Sequence, residues 1–194
     1  MYCVFLGKAV QTVNPPNASV GISQLSATGT KDSTTFLRGD NTFASAGGAN
    51  TPAFEADLSA DQSLTSGVNT KVAFNAELYD SDGCYDSSTN YRFTPTVAGK
   101  YWCYATVRAD GTASTFNYMI LSFYKNGSVY PDSNRPFWRF LNNPIDDFTG
   151  TLGFTIDLNG STDYVEVFTE VELSSGNPTL ARGCSFGAYK LIGD

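Results

Sequence analysis

The sequence predicts an all-β sandwich. Period-two alternation of apolar and polar residues recurs from about residue 71 to the C-terminus, turn-forming residues separate the alternating runs, and no window shows sustained helical spacing. Composition agrees, because 14 Phe, 11 Tyr and 2 Trp are bulky strand formers and 18 Gly supply turns. At 194 residues the chain is long enough for one well-buried core plus an appendage.

The appendage is expected at the front. Residues 8–50 are mostly small and polar, Pro15 and Pro16 exclude helix, and few large side chains are present to form a core. Residues 1–50 therefore read as an extended arm or shaft, or as a segment that gains order by packing against copies of itself. Within it, "ASAGGAN" at 44–50 reads as a linker, with the globular domain over 51–194. Charge divides the same way: residues 1–50 hold Lys8, Lys31 and Arg38 against Asp32 and Asp40, a net of +1, which leaves −8 of the total −7 for the rest. In "TTFLRGDNTFAS" (34–45), Arg38-Gly39-Asp40 reads as the turn joining arm to head rather than an adhesion motif. Phe36 and Leu37 are the expected anchors, Gly39 allows the tight turn, Asp40 and Asn41 cap it, and Arg38 is an exposed or subunit-bridging charge.

Along the domain, "KVAFNAEL" places Val72, Phe74, Ala76 and Leu78 on one face of a half-buried strand. In "KYWCYATVRA", Tyr101, Cys103, Ala105 and Val107 share a face, leaving Trp102 and Tyr104 opposite, where an aromatic second face calls for a cover. Residues 116–124, "FNYMILSFY", are apolar on both faces, with Phe116, Tyr118 and Ile120 alternating against Met119, Leu121 and Phe123. A sheet facing the core on one side and a neighbouring subunit on the other reads this way, so Trp102, Tyr104, Tyr118 and Ile120 are the expected subunit-interface residues. "KNG" at 125–127 supplies a hairpin turn, strands follow on either side of Asn159-Gly160, and "CSFGAYKLI" closes the chain.

Several functions are disfavoured. Without histidine the familiar Ser-His-Asp and Cys-His nucleophile systems cannot be built. Nineteen acids against twelve bases, with no basic cluster, argue against nucleic-acid binding. "YCVFL" is too short for a secretory or membrane-spanning segment, so no membrane insertion is expected. Cys3, Cys84, Cys103 and Cys184 lack zinc-site spacing. Cys103 reads as a small core residue, and buried free thiols are expected ahead of disulfides.

Residues 72–107, "VAFNAELYDSDGCYDSSTNYRFTPTVAGKYWCYATV", resemble the central signature of C1q-like head domains, with Asn75, Asp86, Phe93, Pro95, Gly99 and Tyr101 carrying the likeness. "ILSFYKNGSVY" and "CSFGAYKLI" echo it in the right order, so the resemblance spans about 52–193. It implies a ten-stranded jelly roll related to tumour necrosis factor, assembled as a homotrimer. No collagen repeat precedes the head. Instead, "FLGKAVQTVNPPNASVGISQLSATGTKDSTTFLRGDNTFA" is similar to shaft segments of tail fibres from tailed bacteriophages, especially those of marine hosts. Together these imply a virion protein: a trimeric tail-fibre tip that attaches to a bacterial surface glycan or protein, held to other tail or capsid proteins by its front segment. The chain is then the C-terminal part of a longer fibre or a short version of one. A capsid or neck decoration protein is the alternative, ahead of an extracellular C1q-like adhesin or a polysaccharide depolymerase.

Three candidate sites follow. Asp80, Asp82 and Asp86 in "YDSDGCYD" are hard oxygen ligands that would suit calcium, although the full EF-hand pattern is absent; no other cofactor is expected. Arg135, Phe137, Trp138 and Arg139 in "YPDSNRPFWRFLNN" fall in an expected loop and suit sugar stacking or an anionic polysaccharide, with plain packing as the competing role. The pairs Asp146/Asp147 and Glu170/Glu172 lack glycosidase spacing and read as solvated surface, so no catalytic residue is expected.

Overall fold

A computed structural model describes residues 26–45, 50–111, 116–131, 136–140 and 145–191. The chain divides into two compact units, Met1–Gly48 and Ala49–Asp194.

In the first unit, β1 (Thr35–Leu37) and β2 (Phe43–Ser45) form an antiparallel hairpin. Arg38-Gly39-Asp40 belongs to its tip, inside the unit, rather than joining arm to head. Asp40 Oδ1 accepts from the Thr42 amide at 3.1 Å and the Thr42 hydroxyl at 2.6 Å, while the Arg38 amide donates to Thr42 O at 2.8 Å. Capping by Asp40 is thus as expected, but the left-handed residue is Asn41 (φ 63°), and a Cβ on Gly39 would meet nothing within 4 Å. Arg38 is exposed, 3.9 Å from Asp40. Phe36 and Leu37, expected as anchors, are 61% and 48% exposed. The arm's Pro15 and Pro16 and most of the 44–50 linker lie outside the described residues.

The second unit contains fourteen described strand segments. They are β3 (Ala53–Asp57), β4 (Gln62–Ser63), β5 (Thr70–Lys71), β6 (Ala76–Asp80), β7 (Tyr85–Asp86), β8 (Arg92–Phe93) and β9 (Gly99–Asp110), then β10 (Phe116–Lys125), β11 (Ser128–Tyr130), β12 (Phe137–Arg139), β13 (Asp147–Leu158), β14 (Val165–Leu173), β15 (Thr179–Leu180) and β16 (Ser185–Lys190). The long strand β9 is the hub of a front sheet. β13 pairs along its whole length on one side; on the other, β16 pairs with Tyr101–Thr106 and β15 with Ala109–Asp110. β3 and β6 continue beyond β16, and β4 beyond β15. The back sheet is built on the β10–β14 pair, flanked by β11 and β12 on one side and by β5, β8 and β7 on the other. Passing from β9 to β10, from β13 to β14 and from β14 to β16, the chain changes sheet each time. This is the connectivity of an antiparallel jelly-roll sandwich.

Alternation sends Tyr101, Cys103, Ala105, Val107 and Ala109 inward from β9, all fully buried, against Met119, Leu121 and Phe123 of β10 and Val165, Val167 and Val171 of β14. Phe54 sits among stacked or edge-on rings of Tyr85 (4.4 Å), Phe93 (4.7 Å) and Phe186 (4.9 Å). Each such ring contributes about 2–3 kcal/mol through its buried apolar surface. Cys84, Cys103 and Cys184 are free and buried, and burial pushes the Cys103 thiol well above its ordinary range. Cys3 lies outside the described residues.

Two expected strands are modified. "KVAFNAEL" is split: Lys71 pairs with Phe168 in the back sheet, the chain then crosses the sandwich with Val72 and Phe74 buried, and Ala76 enters the front sheet in β6. Crossing between layers resets the alternation, which leaves Leu78 60% exposed instead of buried. In β10 a bulge between Phe116 and Tyr118 puts Phe116 with the buried Met119, Leu121 and Phe123 set. The Asn126-Gly127 turn (φ 52° and 78°) closes the β10–β11 hairpin as expected.

Candidate functional site

The acidic loop after β6 organises itself rather than a ligand. Asp80 accepts from the amides of Asp82 (3.2 Å) and Tyr85 (2.7 Å), and Asp82 accepts from the Ser81 hydroxyl. Asp86 accepts from the amides of Ser88, Thr89 and Asn90 and from the Asn90 side chain. Among the described residues no three acidic, Cys or His side chains are grouped to hold a metal. The expected calcium set of Asp80, Asp82 and Asp86 is therefore not assembled: Asp80 and Asp86 turn back on loop amides, and Asp82 takes the Ser81 hydroxyl.

Those bonds, led by the Thr89 amide and then the Asn90 side chain and Ser88 amide, hold the Asp86 carboxyl well below the ordinary 3.8. A folded-state pKa below the unfolded one makes the contribution complete above about pH 4 and lost as pH falls from there toward the folded value. Thermal unfolding followed from about pH 5 to about pH 2 is expected to show a shallower acid-side fall for Asp86→Asn than for the unaltered chain. Superimposable profiles would show that the loop cap does not contribute.

The outward face of the front sheet carries two large aromatic rings on β9. Trp102 lies across Gly153 of β13, where an added Cβ would come within 2.7 Å of the indole. Tyr104 lies across Gly187 of β16, in direct contact with the place a Cβ would occupy, and reaches Tyr79 and Glu55. Burial, reinforced by Glu55 and Tyr79, raises the Tyr104 phenol well above its ordinary value. Two glycines on the strands flanking β9 thus let two large rings lie down on the sheet. Thr106, Thr149, Thr151 and Thr155 share this outward face in register, with Lys100–Asp157 and Arg108–Asp147 ion pairs at its two ends.

The back sheet carries a second outward surface. "YPDSNRPFWRFLNN" is not wholly a loop: Phe137–Arg139 pair with Tyr118–Ile120 as strand β12. This pairing brings residues expected to bind ligand beside residues expected at a subunit interface. Phe137 is 52% exposed, and its ring lies 5.4 Å from that of Tyr118. Tyr118 Oη donates to Glu170 Oε1 at 2.6 Å, and Asn117 Nδ2 donates to Glu172 Oε1 at 3.0 Å. The hydrogen bond to Glu170, followed by burial and Glu172, pushes the Tyr118 phenol up. Arg139 is exposed and stands in register with Tyr118. Ile120 is buried beneath them as a floor.

Trp138 points the other way, packed on Phe148 (5.3 Å) and over Gly150, so it is a packing residue. Arg135 lies outside the described residues. The four expected interface residues separate as well, since Trp102 and Tyr104 face out of the front sheet while Tyr118 and Ile120 face out of the back one. Glu170 and Glu172 are half-buried and hydrogen-bonded rather than plain solvated surface. Their place opposite Ile120 and Tyr118 follows from strand register, a signal that the β14 sequence alone does not carry.

No family model and no curated protein matches the chain. Among solved structures the sandwich is similar to C1q and tumour-necrosis-factor globular domains. The globular domain of zebrafish complement 1qA is 16% identical, with 72% of this chain and 96% of that one covered and a TM-score of 0.48. Murine APRIL (pH 5.0) is 12% identical over 72% of this chain and 99% of that one, with a TM-score of 0.48. Eiger TNF from S. frugiperda is 10% identical over 72% and 93%, at 0.44.

Proposed function

We propose that this chain is the attachment head of a bacteriophage tail fibre, working as a homotrimer that binds a receptor on the bacterial surface and joins other virion proteins through its N-terminal segment. What supports the trimer is the outward face of the front sheet, where Trp102 and Tyr104 lie across glycines with Thr106, Thr149, Thr151 and Thr155 in register beside them. A closed three-fold ring uses a heterologous interface, in which this face meets a different patch of the next copy. Three copies of one weak binding surface on a rigid head gain avidity through effective concentration, which suits adsorption to a repetitive cell surface. The shaft-like residues 1–50 and the absence of histidine-based nucleophiles fit a binding role better than a hydrolytic one.

Removing residues 51–194 from the parent particle tests this reading. The expected result is intact particles that no longer adsorb to host cells. Normal adsorption by particles that have become fragile would overturn it in favour of a decoration role.

A further inference from the structure

We propose that the outward face of β10, β12 and β14 is a binding site for a neutral hexose of a surface glycan, with Phe137 as its stacking ring; the proposal deepens the attachment reading and rests on it. Phe137 is a half-exposed phenylalanine tilted against Tyr118, at the edge of a sheet whose buried floor there is Ile120. Aromatic faces in this setting offer apolar area at low entropic cost, which suits the C–H face of a pyranose.

Around the ring stand groups already held in place. Tyr118 fixes Glu170 and Asn117 fixes Glu172, each through one carboxylate oxygen. An ionised carboxylate has about four acceptor positions, so each keeps capacity for sugar hydroxyls. Hydroxyls are both donors and acceptors; Arg139, in register with Tyr118 on the strand opposite Glu172, adds a donor to the same row. Charges of both signs within one row decide the ligand class. A cation would face Arg139, an anion would face Glu170 and Glu172, and an uncharged polyol meets partners on both sides.

Saturation-transfer NMR on the full-length chain tests the proposal, with methyl glucoside, methyl galactoside and methyl mannoside as neutral probes at millimolar concentration, and N-acetylneuraminic acid and choline as charged ones. Transfer to the ring protons of at least one neutral hexoside is expected. Phe137→Ala should weaken it about tenfold and Glu170→Gln several-fold, whereas Thr149→Ala on the opposite sheet should leave it unchanged. No transfer to any neutral hexoside, stronger transfer to a charged probe, or binding insensitive to Phe137→Ala would each overturn the proposal. Adsorption competition by the same protein separates the two readings: competition without hexoside binding sinks this site and leaves attachment standing, and hexoside binding without competition does the reverse.

Discussion

Lys71→Met is expected to lower the stability of the sandwich by about 3 kcal/mol, with a fall in Tm of about 9 °C. Lys71 Nζ lies 2.5 Å from Glu166 Oε1 and also donates to the Asn90 carbonyl at 3.2 Å. The two partners are unequally covered: the Glu166 side chain is 7% exposed and that of Lys71 32%. Removing the lysine strands a carboxylate in a place water barely reaches, and desolvation of an unpaired charge costs more than the pair itself contributes. The position magnifies the effect, since Lys71 is the last residue of β5 before the chain crosses to the front sheet, and Glu166 belongs to a strand at the centre of the back sheet. Thermal or denaturant unfolding measures the loss. The double variant Lys71→Met with Glu166→Leu should recover most of it, because an apolar pair leaves no charge stranded. A single-variant loss below about 1 kcal/mol would mean that water reaches Glu166 after all.

The second large effect concerns assembly. Light scattering on the purified chain at micromolar concentration is expected to give three times the monomer mass, and Trp102→Asp is expected to reduce it to the monomer mass. Trp102 is 37% exposed and rests on Gly153 without filling the core, so the variant should still fold. In the proposed trimer, a carboxylate in place of a large aromatic anchor should cost about 2–4 kcal/mol of association. A monomer mass for the unaltered chain would overturn the trimer, and a trimer that tolerates Trp102→Asp would remove the front face from its interface.

The alternation of β9 was legible residue by residue, because one face of that strand is wholly core and period-two patterning reports core contact directly. The hairpin turn at Asn126-Gly127 and the self-capping of Asp40 were legible for the same local reason: short-range hydrogen bonds and backbone preference decide them. Leu78 and the halves of "KVAFNAEL" were not, since the run spans a passage between two sheets and its single pattern serves two different surroundings. Asp80, Asp82 and Asp86 show the limit from the chemical side. Carboxylates close in sequence can chelate an ion or cap a turn with the same side chains, and only the geometry shows that Asp80 and Asp86 cap.

The sequence by itself determined the all-β class and the burial of the β9 inner face. Each follows from composition and local period, which act over a few residues. Only the tertiary structure decided that Phe137 and Arg139 stand beside Tyr118 and Glu170, that Trp138 turns inward, and that Trp102 and Tyr104 look out of a different sheet from Ile120. The physical reason is register. Which strand lies next to which, and in what alignment, is fixed by long-range pairing and by the glycines that let large rings lie flat, and neither is written in any single stretch of the chain.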